Sequence, residues 1–328
     1  MRSPLIFVLA SLVGIVLATA MTTTTTTTTR AADPLSLRVL TFNIRYAAAG
    51  SKYEKPWSVR GPLVIGRVAA AMSAAAAAAE TNNAVPVVGM QEVLHAQLQD
   101  IAAGLGPAWA HIGTGRDDGK EAGEYCPIFY RPDRARLLAT TQKWLSPTPD
   151  VPSFWPGAGS RRYVLVAVFE EAATGRRFVA ANTHLDNASS RARSEGVRIA
   201  LAVIRDVRDA WRDPGSNPDP LPVVLTGDFN SEPGGDAYAE MVRDGYLRDA
   251  YELADARARF GPYETYTGFV PDEIPDVGGR IDFLWLGPDA DAAAPWDVVR
   301  YEVLDNVVDG VFISDHRPVF GDIVLRAT

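Results

Sequence analysis

The chain has 328 residues, a formal net charge of -8 and 47% apolar residues. This is the composition of an ordinary globular protein with a sizeable core, and it excludes a largely disordered chain. The acidic balance disfavours a protein that holds long nucleic acid by charge, but it is compatible with a hydrolase whose bound divalent cation supplies local positive charge.

The first 20 residues have the three parts of a secretory signal peptide. Arg2 gives a positive start, residues 5–17 form an apolar core, and Ala18-Thr19-Ala20 matches a small-x-small cleavage site. A membrane anchor is the weaker alternative, because this apolar stretch is shorter than the ~20 residues that span a bilayer. We therefore expect a secreted, extracellular protein without a stable membrane anchor, and we expect a monomer.

Residues 21–33 carry an unbroken threonine run, which predicts a disordered leader. Residues 34–328 contain no linker and are predicted to form one domain. Within it, Asn187-Ala188-Ser189 is an N-glycosylation sequon, which matters only if the protein is secreted. The single Cys126 cannot form an internal disulfide and is predicted to be a buried, unreactive thiol.

Apolar runs and helical spacing give the predicted elements in chain order. Helices are indicated at 57–80, which ends in an alanine run, and at 93–105, 190–211 and 236–244. Strands are indicated at 35–42, 87–90, 125–130, 136–145, 163–169, 177–181, 223–225, 280–286, 296–303 and 318–325.

The order of these elements favours two packed sheets with helices outside. Strands alternate with helices in two passes, and many strands are apolar throughout, as in sheets covered on both faces. Strands 163–169 and 177–181 form a predicted hairpin around Thr174-Gly175. Strands 125–130 and 136–145 are predicted to be neighbours joined through Pro132-Asp133. A single doubly wound sheet fits these hairpins less well.

Polar side chains close several of the predicted strands. They are Asn43, the pair Gln91-Glu92, the pair Asn182 and His184, and the pair Asp228 and Asn230. Ligand sites in layered α/β folds form at the carboxyl ends of strands. Loop-facing residues are often polar for no functional reason, but a set drawn only from Asn, Asp, Gln, Glu and His favours a site.

Asp282 is the one carboxylate in the otherwise apolar run from Ile281 to Trp285, and a buried carboxylate without a partner is costly. His316, in Ser314-Asp315-His316, is the predicted partner, because a carboxylate bonded to one imidazole nitrogen fixes the tautomer. A salt bridge between Asp282 and Arg280 is the alternative.

The chemistry of these side chains indicates a hard cation and an activated water. Glu92 is an oxygen ligand of the type that Mg²⁺ takes, and the lack of nearby Cys disfavours structural zinc. The chain has neither a phosphate-binding glycine loop nor a G-x-S-x-G motif. The reaction that these residues predict is therefore metal-assisted hydrolysis by an activated water.

An ordered set of motifs in the chain resembles the endonuclease/exonuclease/phosphatase superfamily, which has a deoxyribonuclease I-like fold. Within that superfamily, the chain resembles a subgroup of secreted hydrolases. The matching segments cover roughly residues 36–325. They are Leu40-Thr41-Phe42-Asn43, Gly89-Met90-Gln91-Glu92-Val93, Ile128-Phe129-Tyr130-Arg131, Asn182-Thr183-His184, Gly227-Asp228-Phe229-Asn230, Ile281-Asp282-Phe283 and Ser314-Asp315-His316.

The resemblance implies a four-layer α/β/β/α sandwich of two mixed sheets flanked by helices, and Mg²⁺-dependent hydrolysis of a phosphoester, with Mn²⁺ as a substitute. The implied metal residues are Glu92, Asn43 beside it, and Asp315, which supports the metal or His316. The implied catalytic residues are Asp228 and Asn230 for the water, His184 and His316 for the phosphoryl charge or leaving oxygen, and Asp282 to orient His316. Glu124 matches a family acid, and Arg162, like Arg161, is a candidate phosphate contact or a structural salt bridge.

The expected function is a phosphodiesterase or phosphatase, and a nuclease acting on DNA or RNA is the alternative. A further alternative is an inactive binding module, which would not need the intact set of six polar residues. Many relatives in the subgroup carry a second His where this chain has Asn187, so the surroundings of the leaving group differ here. We expect the Asn187 sequon to be unused or to point away from the site.

Overall fold

The computed structural model describes residues 34–48, 50, 52–73, 83–211, 221–271, 278–288 and 296–325, together with Met1. The predicted signal peptide and threonine-rich leader otherwise lie outside the described residues, so both stay predictions. The described strands and helices belong to one compact unit, Ala32–Thr328. No helix within these ranges is long and apolar enough to cross a membrane.

A seven-stranded mixed sheet, the first sheet, forms one half of the core. Its central strand β1 (Ser36–Asn43) runs parallel to β2 (Val85–Gln91) and antiparallel to β15 (Val319–Leu325). The other members are β3 (Ala110–Ile112), β4 (Ile128–Tyr130), β10 (Arg259–Phe260) and β12 (Trp296–Val303). The order across the sheet is β10-β12-β15-β1-β2-β4-β3.

The second sheet has six strands and packs on the first. Its strands are β5 (Ala135–Trp144), β6 (Tyr163–Glu171), β7 (Arg177–His184), β8 (Val223–Asp228), β9 (Arg248–Asp249) and β11 (Asp282–Gly287). They lie in the order β5-β6-β7-β8-β11-β9, with β7 and β8 parallel. A small separate hairpin joins β13 (Val307–Val308) to β14 (Val311–Phe312).

Helices cover the outer face of each sheet. α1 (Trp57–Ala71) and α2 (His95–Leu105) pack on the first sheet, and α3 (Ser190–Trp211) and α4 (Asp236–Asp244) pack on the second. Two short pieces, α5 (Ala250–Leu253) and a 3₁₀ turn (Ala256–Ala258), follow β9.

Alternation along the strands creates three apolar layers. In β1, Leu37 and Val39 face the second sheet, whereas Leu40 and Phe42 face α1 and α2, because successive side chains of a strand point to opposite faces. On the far side, the second sheet meets apolar side chains at helical spacing on α3, among them Leu201. The predicted fold class, a four-layer α/β/β/α sandwich of two mixed sheets, is confirmed.

Two predicted elements differ from the structure. The helix that begins at Trp57 ends at Ala71, short of the alanine run at 74–79, which lies outside the described residues. Ser73 Oγ donates to the carbonyl of Ala70 at 2.8 Å, and such a side-chain bond competes with helix continuation.

The predicted pairing of strands 125–130 and 136–145 is wrong. β4 belongs to the first sheet and β5 to the second. A tight turn, in which Ala135 N donates to Arg131 O at 2.9 Å, carries the chain from one sheet to the other. A link this short fits a hairpin or a crossover equally well, and the local sequence does not distinguish them.

Candidate active site

Strand register aligns three of the predicted catalytic side chains across the second sheet. His184 ends β7 opposite Asp228, which ends the parallel neighbour β8. Asp228 is in turn opposite Asp282, the first residue of the antiparallel strand β11. All three are buried. Because aligned residues on adjacent strands point to the same face, the three side chains form one row at the end of the sheet.

Asn43 joins this row to the first sheet. Its Nδ2 donates to Asp228 Oδ2 at 2.9 Å and to Glu92 Oε1 at 3.1 Å. Glu92 follows the last residue of β2 and has a positive φ of 59°, a conformation uncommon outside glycine. Its Oε2 accepts the backbone N–H of Tyr46 at 3.1 Å. The site therefore spans the ends of both sheets.

Asp228 lies at the centre of the cluster. Asn230 N donates to its Oδ1 at 2.9 Å, while its Oδ2 lies 3.3 Å from His184 Nε2 and 3.7 Å from His316 Nε2. The side-chain Nδ2 of Asn230 lies 3.0 Å from His184 Nε2. One carboxylate is thus in reach of both imidazoles, which suits a group that accepts a proton from water.

His316 is held by Asp282, as the sequence predicts. His316 Nδ1 lies 2.9 Å from Asp282 Oδ2, and both side chains are buried. The alternative partner of Asp282, Arg280, instead pairs with Asp249 at 2.7 Å. The carboxylate holds the ring of His316 in place and directs its Nε2 towards Asp228.

The surroundings give the two imidazoles different charge states. Burial lowers the pKa of His316, but Asp282, Asp228 and Asp315 together raise it well above its usual value. Burial lowers the pKa of His184, and the positive charges of Arg162, Arg116 and His316 lower it further. His316 is therefore a cation and proton donor at neutral pH, whereas His184 is neutral.

Burial and the neighbouring Asp282 carboxylate raise the pKa of Asp228 to about 7, against the lowering effects of His316, Asn43 and Asn230. A carboxylate with a pKa near the working pH is a stronger base than an ordinary Asp.

Acidic oxygens outnumber fixed positive charges beside Asn43. Burial raises the pKa of Asp315, and the nearby Glu92 carboxylate raises it further, while His316 and Arg45 lower it. Arg45 Nη1 lies 3.9 Å from Glu92 Oε2. The carboxylate oxygens of Glu92 and Asp315 are donors of the type that a hard divalent cation prefers, whereas the amide oxygen of Asn43 accepts from Arg45 N at 3.0 Å.

Among the described residues, two aspartates and one histidine meet the spacing for a metal ion. One ligand atom from each of Asp228, Asp282 and His316 lies within 4.8 Å of the others. Because His316 is held as a cation by these two carboxylates, a metal there would have to displace its proton. The predicted ligands Asn43, Glu92 and Asp315 are a different set, and their role as metal ligands stays a prediction.

Glu124 and Arg162, the predicted substrate contacts, lie on the other side of His184. They line a small cleft together with Arg116, Arg161, Cys126, Tyr163 and His184. Arg116 Nη1 donates to Glu124 Oε2 at 2.6 Å, and Arg162 Nη1 lies 3.9 Å from the same oxygen. Arg161 pairs with Asp117 at 3.3 Å and covers the ring of Phe154 at 4.4 Å. The salt bridges of Arg161 and Arg162 therefore do not exclude a contact between these arginines and a ligand.

Two polar residues from the strand ends support the site from beneath. Gln91 Nε2 donates to Asn182 Oδ1 at 2.8 Å, and Asn182 Nδ2 donates to the carbonyl of Met90 at 2.8 Å. Thr226 Oγ1 also lies 3.0 Å from Asn182 Oδ1. These fully buried groups bond to one another between the sheets and so join the two sheets beneath the site, although Gln91 Oε1 has no hydrogen-bond partner among the described residues.

The exposed Asn187 lies at the rim, where Arg162 Nη2 donates to its Oδ1 at 3.3 Å. The predicted state of its sequon stays a prediction.

Several residues that the sequence did not single out also shape the site. Tyr266 packs its ring edge-on against His316, with centroids 5.0 Å apart. The buried Arg60 donates to the carbonyls of Ile44 and Ile313 at 2.9 and 2.8 Å and so joins the loops that carry Asn43 and His316. Arg116 forms the salt bridge with Glu124. Arg45, two residues after Asn43, could have been found from the sequence because it follows a strand. Tyr266, Arg60 and Arg116 are marked by no local sequence pattern.

The geometry agrees with comparisons with known proteins. The family model of the endonuclease/exonuclease/phosphatase family matches residues 40–316. No curated protein gives a significant match. Among solved structures, an endonuclease/exonuclease/phosphatase from Bacteroides vulgatus is 34% identical, with a TM-score of 0.72, and the match covers 89% of this chain and 99% of that chain.

Two structures from Bacteroides thetaiotaomicron are similar to a comparable degree. One is a family protein with 31% identity and a TM-score of 0.73, matched over 89% of this chain and 96% of that chain. The other is a mannosyl-6-phosphatase with 31% identity and a TM-score of 0.73, matched over 88% of this chain and 100% of that chain.

Proposed function

Because this chain belongs to the endonuclease/exonuclease/phosphatase family, whose members hydrolyse phosphoesters, we propose that it is a secreted, Mg²⁺-dependent phosphatase of small phosphorylated molecules. The observation that carries this proposal is the buried cluster in which Asp228 lies within 3.3 Å of His184 Nε2 and 3.7 Å of His316 Nε2. A binding module has no need for one cationic and one neutral imidazole around the same carboxylate.

Each residue then has a role that follows from its partners. Asp228 accepts a proton from the attacking water, and the amide of Asn230 donates a hydrogen bond to that water or to a phosphate oxygen. His316, held as a cation by Asp282, stabilises the charge that develops on the phosphoryl oxygens or protonates the leaving oxygen. The neutral His184 completes the phosphate surroundings.

Glu92 would hold the metal, with Asn43 and Asp315 beside it. A bound Mg²⁺ supplies positive charge that polarises a phosphoryl oxygen. Tyr46 N and Asn43 Nδ2 hold the two Glu92 oxygens at 3.1 Å each, so the carboxylate is oriented without the ion. This orientation reduces the ordering that metal binding would otherwise require.

Two observations favour a small substrate over nucleic acid. The net charge of -8 opposes binding to a polyanion. The mannosyl-6-phosphatase is matched over its whole length at 31% identity, which supports hydrolysis of a small phosphomonoester. A nuclease remains the second candidate, because relatives on this fold also act on polynucleotides.

The test compares p-nitrophenyl phosphate, bis(p-nitrophenyl) phosphate and a DNA fragment as substrates of residues 34–328. We expect hydrolysis that needs added Mg²⁺, is highest for the monoester, and falls by about 10²–10⁴ in His316→Ala. Faster cleavage of DNA would favour the nuclease. Full activity in His316→Ala or in the presence of chelator would overturn the assigned chemistry.

Secretion is tested separately by expressing the full sequence and analysing the culture fluid. The proposal requires a released protein whose N-terminus, by mass spectrometry, lies near residue 21. A product retained inside the cell with residues 1–20 intact would refute it.

A further inference from the structure

The cleft beside His184 is lined by three arginines whose salt bridges leave several of their buried N–H groups without a hydrogen-bond acceptor in the described part of the structure. Arg116, Arg161 and Arg162 contribute three guanidinium groups to its lining, and Glu124 contributes one carboxylate. The Glu124 carboxylate is bound to Arg116 at 2.6 Å. The lining as a whole is cationic, although the protein as a whole is acidic.

Arg162 is the clearest unsatisfied group. Its side chain is 8% exposed, and its Nε and Nη1 have no hydrogen-bond partner among the described residues. The carboxylates of Glu124 and Asp186 lie 3.9 and 4.0 Å away, which is beyond hydrogen-bond distance. Asp186 is already bonded to four backbone N–H groups of nearby loops. Buried donors normally find a partner, so these two N–H groups indicate a missing acceptor.

The same cleft has further donors without an acceptor. The Nε atoms of Arg116 and Arg161 are also buried and lack hydrogen bonds within the described part of the chain. Two guanidinium edges beside Arg162 therefore offer N–H groups to one small region. Guanidinium forks match the oxygens of phosphate and carboxylate groups.

His184 separates the cleft from the catalytic cluster. Its Nε2 faces Asn230 and Asp228, at 3.0 and 3.3 Å. Its Nδ1, across the ring, is buried and has no partner in the described structure. His316 differs, because its Nδ1 has Asp282 at 2.9 Å. An anion in the cleft would give His184 the partner that Asp282 gives His316.

We propose that the cleft formed by Arg116, Arg161 and Arg162 binds a second anionic group of the substrate, a phosphate or carboxylate, next to the phosphoester that is cleaved. The identification of this anion as part of the substrate rests on the proposed function. The anion site itself follows from the geometry of the arginines alone. The enzyme then selects phosphoesters that carry a second anionic group over phosphoesters of neutral alcohols. A substrate without the second anion leaves the buried donors unpaired, which is a strong basis for discrimination.

The first arm measures binding directly, with inorganic phosphate as the probe and metal-free protein in a calorimeter. We expect Arg162→Met to weaken phosphate binding at least tenfold. Arg136→Met is the matched control, because Arg136 is an exposed arginine paired with Glu170, and it should bind like the wild type. Equal binding in Arg162→Met and the wild type would overturn the anion site.

The second arm compares α,ω-alkane bisphosphates of two to six carbons with the alkyl monophosphates of the same lengths. We expect kcat/KM to favour one bisphosphate length at least tenfold, and we expect Arg162→Met to lower kcat/KM for that bisphosphate at least tenfold more than for the monophosphate of the same length. No preferred length, or a preference that survives in Arg162→Met, would overturn the assignment to substrate. Phosphate binding without such a preference would mean that the cleft takes free phosphate, which also refutes it.

Failure of the two proposals can be told apart. If no phosphoester is hydrolysed, the proposed function fails, and the loss of phosphate binding in Arg162→Met still decides the anion site. Folding of each variant is checked by its melting temperature. If Arg162→Met does not fold, the half-buried Arg161 replaces it in both arms as Arg161→Met, with the same expected losses.

Discussion

Asp282→Asn tests the acid–base assignment most directly. The Asp282 carboxylate is fully buried and contacts His316 Nδ1 at 2.9 Å, so the bond is a charge-assisted one shielded from water. Hydrogen bonds to charged groups contribute about 1.5–3 kcal/mol. A loss of this size makes the protonated form of His316 about 10- to 100-fold less favoured, so the pKa of His316 falls in the variant.

The direction of the pH effect follows from the raised pKa of His316 in the wild type. Burial lowers this pKa but the surrounding carboxylates raise it well above its usual value, so the imidazole loses its proton only at high pH. If the protonated form is active, activity falls as pH rises through that pKa. Removing the Asp282 charge should therefore move the basic limb of the kcat/KM profile to lower pH.

The assay is hydrolysis of p-nitrophenyl phosphate with Mg²⁺ between pH 5 and 10, and kcat in Asp282→Asn should fall by about 10²-fold or more. Asp249→Asn is the matched control, because Asp249 is also buried and ion-paired, with Arg280. The control should lose stability but keep the shape of the profile. An unshifted basic limb in Asp282→Asn, with kcat near that of the wild type, would refute the role of the pair.

Three other changes test packing, thiol chemistry and metal binding. A Cβ on Gly89 would overlap Thr226 Oγ1 between the sheets, so Gly89→Ala should lose about 1–3 kcal/mol in urea unfolding; Gly66→Ala, which meets nothing within 4 Å on helix α1, should not, and equal losses would contradict the packing argument. Burial raises the pKa of Cys126 to about 12, so an aromatic disulfide reagent at pH 8 should label it only after unfolding, and rapid labelling of the native protein would show an accessible thiolate. Mg²⁺ should raise the melting temperature of the wild type but not of Glu92→Gln, because the variant loses the proposed ligand; an equal rise in both would place the ion elsewhere.

Periodicity and strand-end chemistry predict most of the architecture from the sequence. Helix Ser190–Trp211 is found as predicted over its described length, because a long amphipathic repeat is a local signal. The His316–Asp282 contact is also predictable, since a carboxylate in an apolar strand demands a partner.

Local sequence patterns do not indicate which of the two sheets a strand joins, nor which distant loops contact each other. The turn after Tyr130 sends the next strand to the opposite sheet, and nothing in the turn itself signals this. The unpaired donors of Arg162 depend on Glu124 and Asp186 lying slightly too far away, which only the tertiary structure specifies. Arg60 likewise satisfies carbonyls that are distant in sequence.

The position of β15 in the first sheet determines at what stage of chain synthesis the enzyme can become active. This strand, the last in the order of the chain, lies between β1 and β12 inside the first sheet. Its Asp322 pairs with Arg38 across 284 positions, and Ser314 Oγ reaches the carbonyl of Asn43 across 271. Such closures form late, because a long loop must be ordered before they stabilise anything. A partly made chain therefore has Glu92, His184 and Asp228 but no assembled site, and hydrolysis begins only after the final strand has been inserted.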